Sequence, residues 1–384
     1  MRILYVASGI PVPGTLGGST HAFEVACGLA RRKHQVHLLA ARSTGQFELA
    51  SLVRPVSQLH AGFLLHWQQL PRGLALLGAP LILRLARAIQ PDVIMERYYN
   101  LAGGGVIAAQ QLGIPALLEV NALIVDPPAV LKRRLDDVLG SPLRRWAEAQ
   151  CHAATQIVTP LHTTVPPSVP RHKITELTWG ADVDRFLPPK PVSPPQVVFL
   201  GSFRHWHGVL DVVRAGLLLL EQGVAVQFVL VGDGPERAQA EQLAATQAHA
   251  FHFTGAIPYE AVPTVLQQAS VGIAPFNTAT HPALRAAGFF WSPLKIFEYM
   301  AASLPVVTTD LHPLNTIIRE GQEGALFREG DLPALVAALR RVLDDVQRAR
   351  QMGRHARERV VAHYSWQQHC AQLEAVLERI VASG

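Results

Sequence analysis

A lysine and a glutamate stand three residues apart, at Lys295 and Glu298, in the segment WSPLKIFEYMAASLPVVTT. Ser292 and Pro293 precede them and predict a helix start, with Ser292 as the N-cap and Pro293 at the first helical position. A helix N-terminus and the Lys295 ammonium suit a diphosphate, and the Glu298 carboxylate can accept hydrogen bonds from two vicinal hydroxyls. This combination fits a nucleotide sugar, although a surface Lys–Glu pair is the commoner meaning of such spacing alone.

A second cation follows a predicted strand in VVFLGSFRHWHGVLDVV, residues 197–213. The strand ends in a glycine, a loop carrying Arg204 and His207 comes next, and Gly208 opens a helix. Arg204 can bind phosphate oxygens through two parallel hydrogen bonds. His205 and His207 have no third ligand nearby, so hydrogen-bonded or solvent-facing histidines are expected rather than a zinc site.

Two glycines follow the first predicted strand, where they would let the backbone approach a ligand closely. They are Gly17 and Gly18, with Ser19 or Thr20 expected to cap the next helix and His21 in its first turn. The loop lacks the G-x-G-x-x-G pattern, which disfavours a nicotinamide dehydrogenase.

Two later segments, VGDGPER with Gly232 and FTGAIPYEAV with Ile257, have the form of ordinary strand-to-helix turns. The backbone of the second could contact a nucleotide base.

The elements that must position these residues alternate between short apolar strands and helix-length segments, the pattern of a parallel α/β architecture. A proline-rich stretch, LPPKPVSPPQ, interrupts the alternation and excludes both helix and central strand. We therefore predict two doubly wound, Rossmann-like domains facing across a cleft, because ligands bind beyond the carboxyl ends of parallel strands. The expected organisation is an acceptor-side domain at 1–187, a linker at 188–196, a donor-side domain at 197–363 and a helix at 364–384 that packs on the first domain.

Composition limits the class of protein. The 384 residues are 49% hydrophobic and 16% charged, enough for two cores, and the net charge of +5 suits anionic ligands. The basic residues are scattered, so nucleic acid is a weaker partner class. Three distant cysteines, Cys27, Cys151 and Cys370, indicate a reducing compartment, and no apolar run reaches the roughly 18 residues of a membrane span. We expect a cytoplasmic protein.

Two first-domain segments are candidates for binding the acceptor, and the first of them leaves open peripheral contact with the inner face of a membrane or binding of a lipid-linked acceptor. Residues 64–87 mix Trp67, leucines and arginines, and we interpret them as two ordinary surface helices packed on a sheet. Residues 131–146 are expected to form a solvated helix pair whose basic residues pair with Asp136 and Asp137, with docking of an anionic acceptor as the alternative.

The order and spacing of Arg204, GDGPER, FTGAIPYEAV and SPLKIFEYMAASLPVVTT resemble the retaining glycosyltransferases of family 4, a group 1 family with the GT-B fold. The segment LTWGADVDRFLPP resembles the family's interdomain signature, with Trp179 in place of the usual asparagine. The resemblance implies metal-independent transfer from a UDP- or GDP-sugar to a hydroxyl of a glycan, a lipid-linked sugar or a small molecule. No cofactor would be required.

The resemblance also implies residue roles. Glu298 would hold the ribose hydroxyls, and Arg204 and Lys295 would neutralise the departing diphosphate. The expected catalytic set is Arg204, Lys295 and His21. The expected donor-binding set is Gly17, Gly18, Gly232, Ile257, Ser292, Pro293, Leu294 and Glu298.

Three positions depart from the family pattern. Phe290 stands where a first motif glutamate is usual, His207 replaces a common lysine, and Glu119 with Asn121 occupies the stretch of a first-domain His-Asp pair. The identity of the sugar is therefore open. A sugar-nucleotide epimerase of the same fold and a non-catalytic nucleotide-sugar-binding protein remain as alternatives.

Overall fold

The structure is a computed structural model of the chain, and it describes residues 1–14, 17–41, 56–68, 72–190, 192–279 and 281–383. Two compact units make up the chain. The first comprises Met1–Trp179, Phe290–Ser292 and Trp366–Gly384, and the second comprises Gly180–Phe289 and Pro293–Ser365. The division thus lies between Trp179 and Gly180, ahead of the proline-rich stretch, and the C-terminal helix belongs to the first unit.

In the described part of the first unit, eight strands form one sheet in the order β3-β4-β2-β1-β5-β6-β7-β8. All neighbours are parallel except β3 and β4. The strands are β1 (Arg2–Pro11), β2 (Gln35–Ala41), β3 (Val56–His60), β4 (Phe63–Trp67), β5 (Val93–Arg97), β6 (Ala116–Glu119), β7 (Gln156–Thr159) and β8 (Ile174–Glu176).

In the second unit, six described strands form a parallel sheet in the order β11-β10-β9-β12-β13-β14. They are β9 (Gln196–Leu200), β10 (Gln227–Val231), β11 (Phe251–Gly255), β12 (Val271–Ala274), β13 (Val306–Thr309) and β14 (Gly324–Phe327). Their apolar runs are buried, as expected for parallel strands covered on both faces. The α/β prediction is confirmed. Strand order reverses beside β1 and β5 in one sheet and beside β9 and β12 in the other, and such switch points are where α/β sheets bind ligands.

The described helices lie between these strands or, for the last three, after the last strand, β14. They are α1 (Gly17–Arg31), α2 (Ala79–Ile89), α3 (Gly104–Leu112), α4 (Leu131–Val138), α5 (Pro142–Ala153), α6 (Val209–Glu221), α7 (Arg237–Ala244), α8 (Val262–Gln267), α9 (Pro282–Ala287), α10 (Leu294–Ala301), α11 (Leu314–Ile317), α12 (Leu332–Leu343), α13 (Val346–His363) and α14 (Trp366–Ala382).

Three local predictions are wrong. Because α1 begins at Gly17, Ser19 and Thr20 lie inside the helix rather than at its cap, and His21 is its fifth residue. The N-cap of α10 is Pro293, with no side-chain cap, so Ser292 does not cap it. Residues 64–87 are not two helices, because β4 runs through Trp67. The apolar face of α2, with Leu81, Ile82, Ala86 and Ile89, is buried.

Candidate functional site

Lys295 lies in the first turn of α10 and is only 8% exposed. Its Nζ has no hydrogen-bond partner among the described residues. Two aromatic rings lie beside it, with the ring centroids of Phe199 and Phe276 at 4.3 and 5.1 Å from Nζ. Burial lowers the pKa of Lys295 to about 7. A buried ammonium without a hydrogen-bonded partner is costly, so this position favours an anionic ligand.

Glu298 lies one turn further along α10 and is 7% exposed. Burial raises the pKa of its carboxyl to about 7, against the opposing effects of a hydrogen bond from Tyr259 and the charges of Lys295 and Arg185. The Arg185 guanidinium lies 4.9 Å from the centroid of the Tyr259 ring. The interpretation as an ordinary surface pair is therefore wrong, because both charged groups are buried.

The loop after β9 passes directly over Lys295. Gly201 has φ +135°, and a Cβ there would stand 2.8 Å from Lys295 Nζ and 3.3 Å from His207 Nδ1. Only glycine fits both the backbone angle and the space. Burial, followed by the charges of Lys295 and Arg204, lowers the pKa of His207 to about 2, so the imidazole is neutral. The exposed Arg204 guanidinium is 5.4 Å from the ring centroid of Trp206.

The turns after β10 and β11 adjoin this loop. Gly232 has φ +136°, and a Cβ there would lie 1.9 Å from the Gly201 carbonyl oxygen. Its N–H donates to the Gly255 carbonyl at 2.9 Å, and the half-buried Ile257 follows two residues later. The structure therefore brings Arg204, Gly232, Ile257, Lys295 and Glu298 to one edge of the second sheet.

The residues before α10 are placed differently from expectation. The Ser292 Oγ accepts a hydrogen bond from the backbone N–H of Trp179 at 3.0 Å, within the first unit. Pro293 and the half-buried Leu294 begin α10. Phe290, at the position of the missing motif glutamate, is 2% exposed and has its ring edge against Trp291.

In the first unit, Gly17 and Gly18 open α1 beside Arg97, whose Nη2 would be 3.5 Å from a Cβ on Gly18. His21 is 1% exposed, and its Nδ1 accepts from Arg97 at 2.8 Å. Burial, followed by the charge of Arg97, lowers the pKa of His21 well below its usual value. His21 packs against the ring of Trp179, with centroids 4.4 Å apart. It is a neutral, enclosed side chain.

Sequence reasoning singled out Glu119 and Asn121 in this cluster but missed Arg97 and Tyr5. Arg97 and Tyr5 donate to the two oxygens of Glu119, at 2.8 and 2.5 Å, and Asn121 donates to the same carboxylate. The Asn121 amide oxygen accepts from Trp179 Nε1 at 2.8 Å. The signal was present, because Arg97 and Glu119 each end an apolar strand and β5 and β6 are neighbours.

The described residues contain neither a metal-binding cluster nor a helix that could span a membrane. No group of three His, Cys, Asp or Glu residues there is arranged to hold a metal ion, and His205 pairs with Glu236 at 3.0 Å. None of the described helices combines the length and the apolar character needed to cross a membrane.

Two family models and several known proteins are similar to this chain. The family model described as Glycosyl transferases group 1 matches residues 194–345, and that of Glycosyltransferase Family 4 matches residues 16–165. Alpha-D-kanosaminyltransferase of Streptomyces kanamyceticus is 22% identical over 330 residues, 78% of this chain and 81% of the relative.

Two solved structures share the fold. Sucrose-phosphate synthase from Thermosynechococcus elongatus has a TM-score of 0.75 at 19% identity and covers 100% of both chains. Anabaena HepE, solved with UDP and glucose, has a TM-score of 0.70 at 15% identity and covers 99% of this chain and 100% of HepE.

These similarities define a glycosyltransferase of the GT-B fold. The chain belongs to the group 1 glycosyltransferases of family 4, because the two models together match most of its length. The predicted family and fold are confirmed.

Proposed function

We propose that this glycosyltransferase uses a nucleoside-diphosphate sugar, with UDP as the nucleotide, and retains the anomeric configuration. Lys295 carries the proposal, because its buried Nζ has no hydrogen-bond partner in the described residues and a diphosphate would supply one. The neighbouring Glu298 carboxylate suits ribose hydroxyls. The structural similarity to HepE in its UDP complex supports UDP over GDP.

In the proposed reaction, the bond between the anomeric carbon and the diphosphate oxygen breaks. The acceptor oxygen bonds to the same face of that carbon, and its proton passes to the departing phosphate. Lys295 and Arg204 would stabilise the charge that develops on the diphosphate, a contribution made mainly in the transition state. No cofactor or metal ion is required, and the acceptor supplies a hydroxyl of a glycan, a lipid-linked sugar or a small molecule.

A thermal-shift screen with UDP, GDP, ADP and their glucose conjugates tests the donor. A ligand at a hundredfold excess over Kd stabilises the folded protein by about 2.7 kcal/mol, so UDP compounds should raise Tm by several degrees. The absence of any shift across the panel would contradict a nucleotide-sugar donor.

Proton NMR of the donor mixed with an acceptor panel tests the reaction. We expect release of UDP together with a glycoside that keeps the donor's anomeric configuration. An inverted product would contradict retention. Epimerisation of the donor without acceptor, or saturable binding without turnover, would contradict transfer from this donor.

A further inference from the structure

Helix α4 in the first unit exposes apolar side chains to solvent. Leu131, Leu135, Val138 and the adjoining Leu139 are 69, 56, 84 and 75% exposed. Their spacing of i, i+4, i+7 and i+8 places them on one face, which we call the α4 face. Single exposed leucines are ordinary in proteins, but a continuous row on one helix indicates an interaction surface.

The side of α4 that faces the protein is polar. Asp136 is the buried residue of the helix, and its carboxylate accepts from the backbone N–H groups of Leu143 and Arg144 at 2.8 and 3.1 Å. Arg133 donates to the Asp137 carboxylate at 2.8 Å and to the Asp126 carbonyl at 3.1 Å. A surface helix usually packs its apolar side inward, so α4 is oriented in the reverse sense.

Cationic residues border the α4 face. Helical spacing places Arg134 along one edge of the row and Lys132, which donates to the Asp126 carboxylate at 2.9 Å, along the other. Arg145 is exposed on α5. Residues 126–145 contain five arginines and lysines against three aspartates. The surface therefore combines an apolar row with a positive border.

We propose that the α4 face docks on an anionic lipid bilayer, with the four apolar side chains entering the headgroup boundary and the basic border contacting lipid phosphates. A bilayer surface supplies hydrocarbon and anionic charge side by side, which matches both parts of this surface. A second copy of this basic chain would cover the apolar row but would bring like charges together. The proposal goes beyond glycosyl transfer and does not depend on the identity of the donor.

Co-sedimentation of the full chain with sucrose-loaded vesicles tests it, using phosphatidylcholine with 30% phosphatidylglycerol or phosphatidylcholine alone. We expect binding to the anionic vesicles that weakens in high salt. Leu135→Ser/Val138→Ser should weaken that binding at least about tenfold, because two apolar side chains no longer enter the boundary. Arg134→Gln/Arg145→Gln should weaken it about fivefold for each charge removed and should abolish the preference for anionic vesicles.

The matched control is Leu59→Ser/Leu77→Ser, two first-unit leucines that are 71 and 69% exposed, and it should bind as the wild type does. A second pair on the α4 face, Leu131→Ser/Leu139→Ser, repeats the test independently, and thermal melting verifies that each variant is folded. The proposal is overturned if the wild type ignores anionic vesicles or if the α4 variants bind as tightly as the control. It is also overturned if sedimentation velocity shows a dimer that the α4 variants lose while no vesicle binding occurs.

Discussion

The two switch points of this molecule each bury a cation, but they treat it in opposite ways. Beside β1 and β5, the Arg97 guanidinium is held by Glu119 and His21. Beside β9 and β12, the Lys295 ammonium is surrounded by aromatic rings and has no hydrogen-bond partner in the described part of the chain. One cation is satisfied within its own unit, whereas the other has no hydrogen-bond partner among the described residues.

This difference distinguishes a cation that holds neighbouring side chains in place, Arg97, from the cation proposed to bind a ligand, Lys295. Removing one partner of a buried ion pair is expensive, because the other charge is then left buried without compensation. A buried charge without a hydrogen-bond partner raises the free energy of the empty site, and an anionic ligand would recover that energy on binding. Variants at Arg97 and at Lys295 should therefore affect different properties.

The largest expected effect is on stability, from Arg97→Met. Removing the guanidinium leaves the Glu119 carboxylate buried with only neutral donors, so the free energy of unfolding should fall by about 3–5 kcal/mol in urea denaturation. The matched control is Arg214→Met, at an exposed pair with Asp211, which should change stability by about 0.5 kcal/mol or less. If both variants lowered the free energy of unfolding equally, the Arg97 network would contribute no more to stability than an exposed ion pair.

Lys295→Met should affect turnover instead. We expect the rate of sugar transfer to fall about 10²–10³-fold, equivalent to about 2.7–4 kcal/mol, because the charge on the departing diphosphate loses a cation. Stability at pH 7 should be unchanged or higher, because a buried charge without a hydrogen-bond partner is removed. The control is Lys190→Met, an exposed lysine of the same unit. A Lys295 variant that turned over normally would reject the proposed site.

Glu298→Gln should weaken UDP binding about ten- to a hundredfold in isothermal titration calorimetry. The amide has one acceptor oxygen and no charge, so hydrogen bonds from the ribose hydroxyls become weaker. Glu260→Gln, an exposed glutamate next to Tyr259, provides the matched control and should bind UDP normally. If both variants bind alike, Glu298 does not contact the nucleotide.

The smallest expected effect is a pH dependence of donor affinity. The pKa of Lys295 is about 7 without ligand, so above pH 7 its side chain is mostly neutral. It must therefore take up a proton when the diphosphate binds. We expect the Kd for UDP-glucose to rise about tenfold between pH 7.5 and 8.5, since one pKa unit corresponds to about 1.4 kcal/mol. This alkaline limb should vanish in Lys295→Met. Its persistence in that variant would assign the titration to another group.

The part of the site on α10 was predictable because its signal is local. A proline-led helix carrying Lys295 and Glu298 at helical spacing can be recognised in one segment, and so can a strand followed by a glycine and Arg204. The N-cap was not predictable from residue type alone, since the Ser292 hydroxyl instead accepts a hydrogen bond from the backbone of Trp179, which is distant in sequence. Arg97 was missed for the same reason, because its partners lie on other strands and on α1.

The sequence by itself determined the alternation of strands and helices, the parallel sheets and the order of the motifs, because these follow from short-range periodicity and turn chemistry. Only the tertiary structure decided which charges are satisfied. Sheet order sets the neighbours of each strand end, so it supplies Arg97 with a carboxylate and surrounds Lys295 with aromatic rings. It likewise decided that α4 faces the protein with its polar side. Amphipathic spacing defines two faces of a helix, but packing chooses which one is buried.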